Sequence, residues 1–239
     1  MIRYATLSAL ALATASLAAA QTPTSATSFT GDLGYVSATG NTRLSTLNVG
    51  DKIVHTSGWW TFTQTAAYVN GQTKGVESAN QFTVTGRVDY AFMPRLSLFA
   101  GASYDRNPFA GFNLRTNELV GVRWKAVEAP QDSLAVDAGG ALTQQRDVND
   151  STENFPAARL AASYKHDFSK AAYFQQNVEY LPDLETSGAY RLNSLSSVVA
   201  PISAHIGVKV SYQIQYNSNP PATFGTTDRL LTTGIQVTF

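Results

Sequence analysis

The sequence has no cysteine, only two methionines, and no excess of either charge, since 17 basic side chains balance 17 acidic ones. The absence of cysteine excludes a disulfide scaffold, a cysteine nucleophile and a thiolate zinc site. Balanced charge argues against binding to nucleic acid, which favours a basic stripe. Only 14% of the 239 residues are charged and 44% are hydrophobic, so the chain is too apolar to be disordered.

The abundant residues are those that favour strands. The chain contains 11 Tyr, 12 Phe and 17 Gly, with many Thr, Ser, Gln and Asn. Aromatic and β-branched residues favour strands, whereas helices favour Leu, Ala, Glu and Lys. The composition therefore predicts an all-β protein.

The first twenty residues have the pattern of a secretory signal peptide. Arg3 supplies a positive start, residues 5–17 are almost wholly small or apolar, and residues 18–20 are alanines that offer a cleavage site before Gln21. A membrane-spanning helix needs about 18 to 20 strongly apolar residues, and neither this Ala-rich run nor the rest of the chain supplies them. We expect residues 1–20 to be removed on export and residues 21–239 to form one domain.

The exported part alternates apolar and polar residues with a period of two. Phe82, Val84 and Val88 share one face of a strand, while Thr83 and Arg87 lie on the other. Transmembrane strands need about 9 to 11 residues. Twelve such strands are predicted, at residues 29–37, 42–54, 59–70, 81–92, 96–105, 114–127, 133–145, 157–168, 171–181, 189–200, 205–217 and 227–239.

Connection lengths and aromatic positions indicate a barrel that spans a membrane. Links after even-numbered strands are short, whereas the others, such as 71–80, 146–156 and 218–226, are mostly longer and polar. Outward aromatic residues fall near both strand ends, as in the two girdles of outer-membrane barrels. A soluble β-sandwich would explain the alternation but neither of these features. The sequence predicts a twelve-stranded antiparallel transmembrane β-barrel of the bacterial outer membrane.

The last strand ends in a pattern that looks like the assembly signal of such barrels. Gly234, Val237 and the terminal Phe239 fit its polar-Gly-x-x-apolar-x-apolar arrangement. The likeness implies recognition by the barrel-assembly machinery, with outer-membrane lipid as the other partner.

Several short motifs resemble a known family. They are residues 34–42 (GYVSATGNT), Tyr104-Asp105-Arg106, residues 121–124 (GVRW) and residues 216–221 (YNSNPP) before the terminal Phe239. With these motifs the chain resembles the salt-induced outer membrane protein family, known mainly as a domain of unknown function (DUF481). The resemblance implies an outer-membrane location and a barrel fold, and a link to salt or osmotic stress.

By parity, thirteen charged side chains point into the lumen. They are Arg87, Asp89, Asp105, Arg115, Arg123, Lys125, Asp137, Arg159, Lys165, Asp167, Glu179, Arg191 and Lys209. On the lipid face at mid-bilayer each Arg or Lys would cost about 2 to 4 kcal/mol. Hairpin register predicts Glu179 opposite Arg191, Arg159 near Glu179, and Asp105 close to Arg115. These charges are either ion pairs that brace the barrel or the lining of an aqueous path that favours small anions or zwitterions.

No catalytic, cofactor or metal site is predicted. The three histidines, His55, His166 and His205, fall beside short turns on strands that are not neighbours, so no Ser-His-acid arrangement is expected. We expect His205 to face the lumen or the membrane interface. The acidic residues 147–153 lack the turn Gly of a calcium-binding EF-hand and are interpreted as a solvated loop.

The sequence thus predicts a passive pore for small ions or solutes, or an envelope protein linked to salt and osmotic stress. The alternative is a non-conducting barrel that is structural or binds a partner through its loops.

Overall fold

The computed structural model describes residues 25–38, 44–169, 172–221 and 223–239, so the predicted signal peptide lies outside the described residues. Nearly all of the described chain is strand. The strands are β1 (Ser25–Ala38), β2 (Leu44–Ser57), β3 (Trp60–Thr73), β4 (Val76–Met93), β5 (Leu96–Asn107), β6 (Phe112–Glu128), β7 (Asp132–Asp147), β8 (Thr152–Asp167), β9 (Tyr173–Pro182), β10 (Tyr190–Pro201), β11 (Ile206–Asn217) and β12 (Thr227–Thr238). A 3-10 helix, Pro108–Ala110, lies between β5 and β6. Among the described residues, no helix has the length and apolar character needed to cross a membrane.

The strands form one closed barrel in which each strand pairs antiparallel with its neighbours in the sequence, and β12 returns to pair with β1. This confirms the predicted twelve-stranded antiparallel barrel. The barrel has a turn end, with short links such as 58–59 and 94–95, and a loop end, with links such as 183–189 and 218–226. Phe29 and Phe239 close the ring at the turn end through two backbone hydrogen bonds of 2.8 and 2.9 Å.

The prediction of a long loop at residues 71–80 is wrong. β3 and β4 continue to Thr73 and Val76, and Lys74 and Gly75 alone form the turn, both with positive φ. Such two-residue turns match the twist of paired strands. The region is polar because the hairpin extends into solvent, and Asn70, Glu77 and Asn80 are joined there by side-chain hydrogen bonds. Turn lengths at the two ends therefore differ less than predicted.

Polarity is inverted relative to a soluble domain. The large apolar side chains that are exposed include Val120 and Leu160, whereas the buried residues are mostly polar or charged. Aromatic rings contact each other at both ends of the outer face: Trp60 and Tyr90 at the turn end, with ring centroids 4.7 Å apart, and Tyr180, Tyr190 and Tyr216 at the loop end. Because side chains of a strand alternate between two faces, the outside is apolar and the interior polar.

Candidate functional site

The centre of the interior is a network of charges around Asp137 on β7. Its carboxylate accepts hydrogen bonds from Arg87 at 2.6 Å, Arg123 at 2.7 Å and Arg159 at 3.2 Å. Asp89 pairs with Arg87 at 2.6 Å, and Glu179 pairs with Arg159 at 2.6 Å. These six residues, here the Asp137 cluster, come from β4, β6, β7, β8 and β9.

An aromatic ring supports this cluster. The guanidinium carbon of Arg87 lies 3.8 Å from the ring centroid of Phe99, and that of Arg159 lies 5.5 Å from it. Such cation–π contacts add to the ion pairs. Phe99 is only 4% exposed and pairs across the ladder with Gly121, which pairs in turn with Gly139. Gly121 leaves room for the ring, because a Cβ there would lie 2.7 Å from Phe99 Cζ.

A second polar group lies where β12 meets β1. Lys209 contacts Asp32 at 2.6 Å, Gln236 donates to the other carboxylate oxygen at 3.0 Å, and Tyr173 donates to Gln236 at 2.7 Å. The Tyr173 contact joins β9 to β12 across the interior. Nearer the turn end, Lys165 pairs with Asp167.

The structure settles the hairpin pairings expected from register. Arg159 contacts Glu179, and Asp105 lies directly opposite Arg115 in the backbone ladder of β5 and β6, both as expected. The prediction of Glu179 opposite Arg191 is wrong, because Glu179 pairs with Asn193 and Arg191 with Leu181. The connecting loop spans 183–189 rather than 182–188, which shifts the register by two residues and leaves both side chains on the same face.

The remaining predicted charges also have defined places. Lys125 lies at the turn end and pairs with Glu128 at 3.0 Å, where both side chains are 44% exposed. Asp105, Arg115 and Arg191 lie toward the loop end, beyond the Asp137 cluster, where they line a cavity.

That cavity, the chamber, occupies the interior on the loop side of the cluster and has a volume of about 400 Å³. Its charged lining includes Asp105, Arg115, Arg191 and Asp228, and Arg159 and Glu179 of the cluster border it. Gln81, Gln213, Gln215, Asn193 and Asn217 add amide groups. The chamber therefore offers a solute many hydrogen-bond partners beside apolar side chains such as Val69, Phe99 and Leu119.

Loops cover part of the mouth. Gly111, after the 3-10 helix, has φ 93° and lies against Pro221 and Phe224 from the loop between β11 and β12. The two loops come from strands far apart around the ring, and Phe112 is 5% exposed beneath them. Phe112 and Phe224 thus fold over the barrel mouth.

Sequence reasoning missed further charges with inward parity, among them Asp32, Lys52 and Asp228. All three lie in strands that the alternation already predicts, so the same parity would have found them. The chamber itself had no sequence signal, because it depends on which strands face each other across the ring.

The histidines form no catalytic group with one another. His55 contacts Thr27 at 2.8 Å, His166 contacts Asp132 at 2.8 Å, and His205 stacks on the ring of Phe239 with centroids 5.5 Å apart. Within the described residues, no group of three or more His, Asp or Glu side chains is arranged to hold a metal ion. The prediction of a solvated loop at residues 147–153 is wrong at its ends, because only residues 148–151 link β7 to β8. Asp147 ends β7, is 5% exposed and accepts hydrogen bonds from Gln145 and Ser151.

The single closed sheet, with apolar residues outside and polar residues inside, defines the class of antiparallel β-barrel proteins. Within this class the chain belongs to the family described as "Protein of unknown function, DUF481", whose model matches residues 31–239. This confirms the family resemblance, although the description makes no reference to salt.

The chain is 25% identical over 198 residues to the uncharacterized protein YdiY of Escherichia coli (strain K12), covering 81% of this chain and 76% of that protein. Similar solved structures include the NanC porin (TM-score 0.49, 9% identity, 88% of this chain and 97% of that one). Another is the translocator domain of the autotransporter NalP from Neisseria meningitidis (TM-score 0.49, 14% identity, 92% and 90%).

Proposed function

We propose that the protein is a non-enzymatic barrel of the bacterial outer membrane that forms a narrow passive pore for small polar solutes. The observation that carries the proposal is the inverted polarity of the barrel, with exposed Val, Leu and aromatic side chains outside and charged side chains inside. A closed barrel pairs its strands all around the ring, which the membrane interior requires. The sequence supports export through residues 1–20 and assembly through Gly234, Val237 and Phe239.

The interior limits what could pass. The chamber is about 400 Å³ in volume, has charged and amide groups in its lining, and admits a small solute. Below it, the Asp137 cluster narrows the interior with five ion pairs. A pore of this kind conducts weakly, and its charges act on each solute at close range. A role in the envelope under salt or osmotic stress, which the family resemblance implies, is compatible with such a pore.

Conductance in a planar bilayer tests this function. We expect stepwise currents from the purified, folded protein. Arg87→Ala in the cluster and Lys209→Ala beside Asp32 should change the step size or the ion selectivity, because both charges lie inside. Arg95→Ala is the matched control, since Arg95 lies at the exposed turn between β4 and β5 and not in the interior. Silence from well-folded protein would remove the pore function.

A second candidate function is a non-conducting structural barrel, and a specific observation favours it. Arg87 to Asp137 joins β4 to β7, and Tyr173 to Gln236 joins β9 to β12. Both contacts link strands three places apart and reduce the open cross-section. The absence of current in a planar bilayer from a fully folded barrel is the result that would favour this candidate.

A further inference from the structure

Two arginines of the chamber differ from those of the Asp137 cluster. Each cluster arginine pairs with a carboxylate. Among the described residues, Arg115 on β6 and Arg191 on β10 have no carboxylate oxygen within 4.0 Å. Their charges are therefore not neutralised by direct contact.

Neutral side chains hold both guanidinium groups in place. Arg115 donates from Nε to Gln145 at 2.7 Å and lies over the ring of Phe112, 3.8 Å from its centroid. Arg191 is 8% exposed and donates from Nη2 to Thr143 at 2.8 Å. Both groups are thus positioned before any ligand arrives.

Each guanidinium retains unused donors. Arginine carries five N–H donors, and the Nη atoms of Arg115 and the Nε and Nη1 atoms of Arg191 have no partner among the described residues. Every fully buried side-chain nitrogen of the described residues has a hydrogen-bond partner. Since these arginine nitrogens have none, they are not fully buried and are accessible from the cavity. They are donors that a solute could use.

The two arginines also lie on the route into the chamber. A second cavity of about 300 Å³ lies at the mouth beside Phe155 and Glu185. The mouth cavity and the chamber share four lining residues, Arg115, Leu181, Arg191 and Asn217. A solute that moved from the mouth into the chamber would contact both guanidinium groups.

We infer that Arg115 and Arg191 form an anion-binding site for a small organic solute that carries one carboxylate or phosphate group. Guanidinium groups bind such oxyanions through paired N–H donors. The amides of Gln81, Gln213 and Gln215 line the same chamber and are suited to hydroxyl groups on the rest of the solute.

Negative charges in the chamber restrict the solute further. Asp105 and Asp228 line it, and Glu179 borders it while pairing with Arg159. These carboxylates repel a second negative charge on the ligand. The site therefore favours a solute with one acidic group over one with several.

Binding is measured on the full barrel in detergent by titration calorimetry, with gluconate, glucose 1-phosphate and glucose as probes. Gluconate tests a carboxylate, glucose 1-phosphate tests a phosphate, and glucose is the uncharged control. We expect at least one anion to bind and glucose not to bind. Arg115→Gln and Arg191→Gln should each weaken binding about tenfold or more, as expected for a lost charge-assisted hydrogen bond.

The matched control is Arg95→Gln, which removes one positive charge at the exposed turn between β4 and β5 and should leave affinity unchanged. Arg191→Lys keeps the positive charge at that position, and Arg115 is less buried than Arg191. If one variant fails to fold, the other variants still decide the result. Equal binding of glucose and gluconate, no anion binding by folded wild type, or unchanged affinity in the folded Gln variants would overturn the site.

The inference rests on the proposed pore for its biological meaning, and the two can fail separately. Binding in detergent needs no bilayer. A barrel that binds gluconate but carries no current therefore supports the anion site and contradicts the pore function. A barrel that conducts but binds no anion supports the pore function and contradicts the anion site.

Discussion

The carboxylate of Asp137 is the shared partner of three arginines in the interior of the barrel. It is 3% exposed and contacts Arg87, Arg123 and Arg159, which come from three different strands. Asp89 and Glu179 balance only part of that positive charge. Loss of the central carboxylate would leave three guanidinium groups close together without their shared partner, which is costly in a buried site.

Asp137→Asn should therefore lower the free energy of unfolding by about 3 kcal/mol, the lower end of the cost of removing one partner of a buried ion pair. Urea titration of the barrel in detergent, followed by tryptophan fluorescence, measures the effect. Glu128→Gln is the control, because the exposed Lys125–Glu128 pair should contribute less than about 1 kcal/mol. Equal stability of Asp137→Asn and wild type would contradict the role given to the cluster.

The sequence predicts which charges face inward but not which of them meet. Parity places Arg87 and Asp137 on the inner face from local alternation alone. Their contact joins residues 50 positions apart on strands that are not paired. It depends on the curvature of the closed barrel, for which local alternation carries no signal. Arg159 and Glu179 were predictable because β8 and β9 are consecutive.

At the scale of strands, small residues permit close packing inside the ring. A Cβ added at Gly121 would lie 2.7 Å from Phe99 Cζ, and closer still to the carbonyl oxygen of Ala138. A Cβ at Gly139 would likewise clash with the carbonyl oxygen of Val120. Gly121 therefore keeps space for the ring of Phe99 beneath the arginines, and Gly139 lets the backbones of β6 and β7 approach closely.

Gly121→Ala should destabilise the barrel by about 1 to 3 kcal/mol through overpacking. Gly86→Ala on β4 is the matched control, because a Cβ there meets nothing within 4 Å. Unfolding in urea compares the two variants under the same conditions. A Gly121→Ala barrel as stable as the Gly86→Ala barrel would show that the ring of Phe99 is not confined in this way.

Two variants of the closing strand β12 separate its backbone pairing with β1 from recognition of its terminal ring by the assembly machinery. Deletion of Phe239 removes both backbone hydrogen bonds to Phe29, each worth about 1 kcal/mol, and also the terminal aromatic ring. Phe239→Ala removes the ring alone. If the ring is the assembly signal, both variants should reach the outer membrane poorly in cells, but only the deletion should lose stability after refolding from urea into detergent.

Membrane-fraction yield and urea unfolding measure these two effects. Phe168→Ala, which removes another exposed aromatic ring near the turn end, is the control for a general loss of aromatic surface. Normal membrane yield of Phe239→Ala would contradict the assembly role of the ring.

Element boundaries were predictable where alternation is strong and not where strands leave the apolar band. β11, at Ile206–Asn217, closely matches the expected 205–217. The β3–β4 hairpin was predicted too short, because polar residues such as Asn70 and Glu77 resemble a loop in composition while their backbones remain paired.

At the scale of the whole molecule, the account depends on one arrangement, an apolar exterior around a polar interior. The barrel brings residues from both ends of the chain together, so the anion site, the Asp137 cluster and the closing strand all require the same ring to form. The chain has no cysteine, so a single introduced cysteine can report on any chosen position.

The most direct test is site-directed spin labelling at each position from 82 to 90 along β4, with the protein reconstituted in lipid vesicles. Accessibility to oxygen, which concentrates in lipid, should peak at Phe82, Val84 and Val88. Accessibility to a water-soluble nickel complex should instead peak at Thr83 and Thr85, which line the chamber. Two opposed profiles with a period of two residues are the predicted result. Profiles that rise and fall together, or equal access to water at every position, would contradict the membrane-spanning barrel.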